Sequence, residues 1–386
     1  MNTKKYDYFF SQPHQPFFAF GVINAILFML IFMLSYKGVI TLSILPNLFH
    51  SYSLIFAVFT SFFLGFLLTT FPRFSQTPAL EQNIFLTNFA LLFIGTVFFL
   101  IGSLSFIFFI YIGVLFVLAA QIYTMIVFYN IYKGSPLPEL YDQKWIMIGF
   151  GSGIVANILF IIGFLSDSLM IFELAKQIGI YLFLTIIAFT VGQRMIPFFS
   201  HVMIEKNEKL LPIIFALFSL MIIFNVANLK IGFIFMAIAG FLLAKEIYSW
   251  KLPFKKAEPI LWILHLAIFW LPTALIIGAF TGLGELIFDQ SFIFLGIHLV
   301  MLGFLTTVMI GFGTRVTLGH SGNQMKIDKI TKILFYLTQI VIYFRMLYSF
   351  TGSSFLFDIS MAIWLALFII WSLKYLPVIV FGRKVT

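Results

Sequence analysis

The chain has 386 residues, of which 62% are hydrophobic and only 10% are charged. A soluble domain carries about 25% charged residues, so this composition excludes an ordinary soluble protein, despite a formal net charge of +9. The absence of cysteine excludes disulfides and thiolate-bound metal centres.

The apolar segments predict an all-α fold, because a helix needs about 20 mainly apolar residues to cross a bilayer. The N-terminal segment MNTKKYDYFFSQPHQPFF has no small-residue cleavage site, so we expect the first helix to be retained. We predict one membrane domain over residues 1–386. Its twelve transmembrane helices are expected at 17–37, 52–71, 84–103, 106–130, 146–165, 174–193, 210–227, 231–248, 259–281, 291–312, 330–350 and 355–376.

The basic residues predict the orientation, since Lys and Arg concentrate in short cytoplasmic loops. With a cytoplasmic N-terminus, nineteen of the 23 basic residues fall on the cytoplasmic side. The four on the opposite side are Lys37, Lys176, Lys230 and Arg345. We therefore predict a multi-pass protein of the cell inner membrane with both termini cytoplasmic. The scattered basic residues predict contact with the lipid bilayer and no nucleic-acid partner.

Several functions lack a signature in this sequence. All fourteen Asp and Glu residues lie in loops or near predicted helix ends, which does not favour a proton relay through the membrane. No phosphate-binding loop, zinc-protease helix or nucleophile elbow is present. The predicted loops are too short to form a catalytic domain, and no internal repeat is evident, since GFLL at 65–68 and 240–243 is too brief.

Histidine offers the main candidates for chemistry. The chain contains His14, His50, His201, His265, His298 and His320. His298 and His320 lie about 33 Å apart on a continuous helix, at 1.5 Å per residue, so these two residues cannot bind one metal. His201 precedes a charged loop and is expected in solvent.

The other five histidines divide into two predicted levels. His50 and His298, with Met301 three residues along the same helix, form an expected outer cluster. His14, His265 and His320 form an expected inner cluster of up to three imidazoles. The alternative for any one of these residues is a hydrogen bond between helices.

These two levels suit a haem and a copper ion, because neutral imidazole binds both. The sequence does not assign either cofactor to either level. Arg194 and Arg315 are candidates for pairing with haem propionates. The alternative is that both arginines are topology-setting charges near the lipid headgroups.

Three segments together resemble the NnrS family: GFLLTTFPRF at 65–74, GQRMIPFF at 192–199, and His298 with RVTLGHSG at 315–322. PHQPFF at 13–18, WILH at 262–265 and His50 add to the resemblance. It implies b-type haem and copper as cofactors, and a role in nitric oxide tolerance or metabolism with nitric oxide as a ligand. The sequence departs from the family pattern at Tyr52 and Ser53, where many members carry a second His and an acidic residue.

Two other functions remain open at this stage. Twelve spans also fit a transporter of a small solute without bound metal. A redox enzyme related to oxygen or nitric oxide reductases is less favoured, because the membrane interior lacks acidic residues for proton delivery. Whether the protein is an enzyme, and which partner donates electrons, cannot be read from the residues.

Overall fold

The computed structural model describes residues 8–384 and contains no β-strand in that range. Twelve helices of seventeen residues or more account for most of it, which confirms the predicted all-α fold. They are α1 His14–Tyr36, α2 Pro46–Phe74, α3 Gln82–Leu104, α4 Phe108–Lys133, α5 Tyr141–Ser166, α6 Leu169–Phe199, α7 Leu210–Val226, α8 Gly232–Ser249, α9 Pro259–Phe288, α10 Leu295–His320, α11 Lys329–Thr351 and α12 Ser354–Phe381.

Each predicted span coincides with one of these helices. Eleven are long and apolar enough to cross a membrane, and α7 is apolar but has only 17 residues. At 1.5 Å per residue α7 is about 26 Å long, slightly less than the roughly 30 Å hydrocarbon core. Helices form here because lipid offers the backbone no hydrogen-bond partners. Each segment must therefore pair its own N–H and C=O groups. The chain is a polytopic membrane protein, and the cytoplasmic placement of its termini stays a prediction.

The described chain forms two compact units. Unit one contains the residues up to 179, residues 316–324 and the residues from 368 onward. Unit two contains residues 180–315 and 325–367. In unit one, α3 and α4 pack so closely that a Cβ atom on Gly95 would lie 2.7 Å from the backbone nitrogen of Val117. Small residues that let backbones approach are typical of helix pairs in membranes.

We expect Gly95→Ala to destabilise the α3–α4 pair by about 1–3 kcal/mol, because the new methyl group meets backbone atoms that cannot move aside. Thermal unfolding of the detergent-purified protein measures this effect. Gly151→Ala is the matched control, since its Cβ would meet only Met125 Cε at 3.6 Å. Equal unfolding midpoints for the two variants would contradict this account of the helix contact.

Three helices contain a π-helical stretch. These stretches, Ser53–Phe59 in α2, Ile178–Thr185 in α6 and Leu299–Thr306 in α10, start 125 residues apart (53 to 178) and 121 residues apart (178 to 299). π-Helical turns are rare and often lie at functional sites. Most or all residues in the apolar part of each of these three helices are buried.

The same three helices also end alike. Each is followed by a residue with positive φ, namely Gln76, His201 and Gly322. The next N–H then donates to a carbonyl five residues back, at 2.9–3.1 Å: Thr77 to Pro72, Val202 to Pro197 and Asn323 to Leu318. This is the Schellman pattern of helix termination.

These features define an internal repeat of four helices: α1–α4, α5–α8 and α9–α12. The expectation of no internal repeat is therefore wrong. The repeat lies in backbone features, namely the π-helical stretches, the helix ends and the helix spacing. A few matching positions keep their residue, as at Ser75, Ser200 and Ser321, but most have diverged, so no continuous sequence match reveals the repeat.

Candidate metal centres

His14 and His320 meet in unit one. His14 is the first residue of α1 and His320 is the last residue of α10. Their ring centroids lie 4.6 Å apart and the ring planes are inclined by 48°. The His14 side chain is 3% exposed, and its Nδ1 atom is buried without a hydrogen-bond partner among residues 8–384. A buried polar atom without a partner is costly, so this atom marks a position where a ligand would be stabilised.

A nearby amide sets the tautomer of His320. His320 Nδ1 lies 2.6 Å from Gln12 Oε1, and because a carbonyl oxygen only accepts, Nδ1–H must donate. The backbone N–H of Gln12 donates in turn to Gln15 Oε1 at 2.9 Å, which holds the segment in place. His320 Nε2 therefore carries the lone pair that a metal needs. Arg73 interacts electrostatically with both imidazoles.

The separation of the two rings discriminates between cofactors. Imidazoles on opposite faces of a haem iron, each at about 2.0 Å, would have ring centroids about 6 Å apart. The observed 4.6 Å is too short for that arrangement. Two tilted rings at this distance are compatible with one small ion bound by both, as in copper sites with imidazole ligands. The residues thus fit copper and do not fit a haem between them.

His265 is a separate centre, in unit two. It lies in α9 with 0% exposure, and its Nε2 is 2.7 Å from Ser200 Oγ. The Ser200 hydroxyl donates a hydrogen bond to the Ile196 carbonyl oxygen at 2.7 Å. Its oxygen therefore accepts the hydrogen bond from His265 Nε2–H. His265 Nδ1 consequently holds the lone pair, buried and without a hydrogen-bond partner in the described chain. This geometry presents a buried imidazole nitrogen for coordination.

Two of the up to three imidazoles of the predicted inner cluster, His14 and His320, meet within unit one, and His265 lies in unit two. No group of three His, Asp or Glu side chains able to hold a metal occurs between residues 8 and 384. His265 is hydrogen-bonded to Ser200, whereas His14 and His320 contact each other. The sequence predicts that the three histidines share one depth in the membrane. Depth alone does not determine which side chains are in contact.

The two predicted propionate partners both lie in unit two. The Arg315 guanidinium carbon sits 3.8 Å from the centroid of the Phe199 ring. Phe199 directly precedes Ser200, so Arg315 is held next to the residue that orients His265. Arg194 lies in α6, the helix that contains Phe199. It is six residues before Ser200 and is half-buried. Stacking on an aromatic ring fixes a guanidinium without neutralising its charge, so Arg315 keeps its capacity to pair with an anion.

The outer pair, His50 and His298, lies in different units. The His50 ring stacks on Phe32 with centroids 4.2 Å apart. His298 Nδ1 lies 2.9 Å from the Phe294 carbonyl oxygen and 3.0 Å from Arg345 Nη2. Their joint metal site stays a prediction. His201 is exposed, as expected.

Tyr52 is buried, with 1% exposure. Its hydroxyl donates to Asn157 Oδ1 at 3.2 Å, and Asn157 Nδ2 donates to Gln121 Oε1 at 2.8 Å. The departure from the family pattern at this position is thus accommodated by a polar network of three buried side chains in unit one.

The sequence reasoning missed three residues that shape these sites. Gln12 and Ser200 each bond an imidazole, and Arg345 contacts His298. Gln12 and Ser200 carry no sequence signal, because short polar residues at helix ends are common. Arg345 did carry a sequence signal, because an arginine within a predicted span is energetically costly and is expected to have a partner.

The fold and these side chains define a multi-helix membrane protein with buried, pre-oriented imidazoles at helix ends. The family model described as "NnrS protein" matches residues 8–383. The chain therefore belongs to the NnrS family, in agreement with the resemblance of its motifs. A comparison with curated proteins gives no match.

Proposed function

We propose that this NnrS-family protein binds haem and copper in the cell inner membrane and functions in nitric oxide tolerance or metabolism. The observation that carries the proposal is the His14–His320 pair, in which two imidazoles meet and one buried nitrogen has no partner. The membrane-helical fold and the family membership fit a protein of the nitric oxide response.

Copper is assigned to the His14–His320 pair. His14 and His320 would supply the imidazole nitrogens, and Gln12 would keep the Nε2 lone pair of His320 free by accepting from Nδ1–H. Copper there would supply one-electron chemistry and an affinity for small ligands such as nitric oxide. The burial of His14 would restrict access of water to the pair.

Haem is assigned to His265 in unit two. The Nδ1 lone pair of His265 would hold the haem iron, and Ser200 would orient the ring by accepting from Nε2–H. Arg315 and Arg194 would pair with the propionates, because guanidinium groups form strong bidentate bonds with carboxylates. Haem would supply an iron centre for redox chemistry or binding of nitric oxide.

Metal analysis and an absorption spectrum of the purified full-length protein, oxidised and then reduced with dithionite, test the proposal. We expect near-stoichiometric copper and a Soret band that shifts on reduction. Binding of nitric oxide would then be followed in the same spectrum. A colourless, metal-free protein from cells supplied with both cofactors would overturn the proposal and favour the transporter, which substrate flux in vesicles would test.

Gln12→Ala should weaken copper binding without removing a ligand. The loss of the amide leaves His320 Nδ1–H without its acceptor, and loss of such an outer partner lowers metal affinity by about 10–100-fold. Competition with a copper chelator measures the affinity. Gln12→Glu, which still accepts a hydrogen bond from Nδ1–H, should retain more affinity than Gln12→Ala. The reverse order would refute the orienting role of Gln12.

A further inference from the structure

A buried arginine in unit two belongs neither to the His14–His320 pair nor to the His265 centre. Arg345 lies in α11 and is only 5% exposed. Its Nη1 donates to Ser349 Oγ, and its Nη2 donates to the Ile293 carbonyl at 2.8 Å and faces His298 Nδ1 at 3.0 Å. Its Cζ atom is 4.9 Å from the centroid of the Tyr348 ring.

No carboxylate balances this charge. Within residues 8–384, every hydrogen-bond partner of the Arg345 guanidinium is a hydroxyl, a carbonyl or an imidazole, and Arg345 forms no ion pair. The Nε atom is buried and has no hydrogen-bond partner in the same range. Burying a charge without a counter-charge is strongly unfavourable. Arg345 is therefore a candidate functional residue.

The internal repeat shows that the fold does not need this arginine. The π-helical stretches of α2 and α10 start 246 residues apart (53 to 299), so Tyr52 corresponds to His298 and Phe99 to Arg345. Tyr52 and Phe99 contact each other with ring centroids 4.4 Å apart, as His298 contacts Arg345. In the second repeat the matching residues are Gln177 and Phe224. Two of the three repeats thus place phenylalanine where the third places arginine.

We propose that Arg345, with His298 and Ser349, forms a binding site for a small, singly charged oxyanion. A planar guanidinium matches planar oxyanions through parallel N–H donors, and Nε–H is a donor still without an acceptor. His298 Nδ1 lies between Arg345 Nη2 and the Phe294 carbonyl oxygen, so the imidazole ring lines the site beside the guanidinium. Nitrate, a planar oxyanion with a single charge, is therefore the probe that matches the guanidinium.

This site is distinct from a metal centre. A guanidinium 3.0 Å from His298 Nδ1 repels a second cation at the same ring. An anion, in contrast, gains from the guanidinium charge of Arg345. His298 therefore lies beside a cationic group that attracts an anion.

The test is thermal unfolding of the purified full-length protein during titration with sodium nitrate, with sodium gluconate keeping the ionic strength constant. We expect a saturable rise in the wild-type unfolding midpoint of about 2–4 °C. Arg345→Phe should fold, because phenylalanine occupies the matching position in two repeats, and should show no rise. Arg345→Lys keeps the positive charge but loses the parallel N–H donors of the guanidinium. Its unfolding midpoint should rise less, and only at higher nitrate concentration.

Several outcomes would overturn the proposal. One is a wild-type midpoint that does not respond to nitrate, and another is an equal response in Arg345→Phe. A third is Arg345-dependent stabilisation by phosphatidylglycerol but not by nitrate, which would identify a lipid headgroup instead. Copper and haem contents are measured in all variants and should be unchanged, which separates this test from the test of the cofactors.

Discussion

His14→Ala and His320→Ala should each purify with less than about one tenth of the wild-type copper. Each substitution removes one of the two imidazoles that meet in unit one, with ring centroids 4.6 Å apart. A single remaining imidazole binds copper much more weakly, since even an outer partner of a ligand is worth about 10–100-fold in affinity. Metal analysis after purification and copper titration of the apo-protein measure the loss.

His201→Ala is the matched control, because His201 is exposed and far from the pair in sequence. It should retain the wild-type copper content. His14→Ala should also retain the haem spectrum, since His265 belongs to the other unit. Full copper content in both His14→Ala and His320→Ala would show that these imidazoles do not bind the ion.

The second large effect is expected at His265. His265→Ala should lose the Soret band, because it removes the buried Nδ1 nitrogen that we assign as the axial ligand. Absorption spectra of oxidised and reduced protein, normalised to protein concentration, measure the loss. Copper at the His14–His320 pair should remain.

Ser200→Ala discriminates between ligation and a general structural defect. It keeps the His265 imidazole but removes the acceptor of Nε2–H. We expect haem to remain, with affinity lowered by about 10–100-fold and a shifted reduction potential. If Ser200→Ala were normal and His265→Ala still bound haem, the axial ligand would have to be another residue.

The hydropathy of the chain was sufficient to predict its fold. Helix formation in a membrane depends on local composition, because each segment must satisfy its own backbone hydrogen bonds. The twelve segments were therefore found at nearly correct positions. Even α7 was found, although its 17 residues leave it shorter than the other helices.

The repeat was missed for a physical reason. A π-helical stretch and a Schellman end depend on backbone geometry that many side chains permit. Thr60 and Thr306, for example, each donate to the carbonyl five residues earlier at 2.8 Å, but the intervening residues differ. Only the folded backbone shows that α2, α6 and α10 are equivalent.

The sequence by itself determined that this is a multi-helix membrane protein of the NnrS family with candidate histidines near helix ends. Only the tertiary structure decided which of them meet. Gln12 and His320 are 308 residues apart, and Ser200 and His265 are 65 apart. Hydropathy fixes one coordinate of a residue, its depth along the membrane normal. Lateral packing of the helices fixes the other two, and that packing brings His320 to Gln12 and His265 to Ser200.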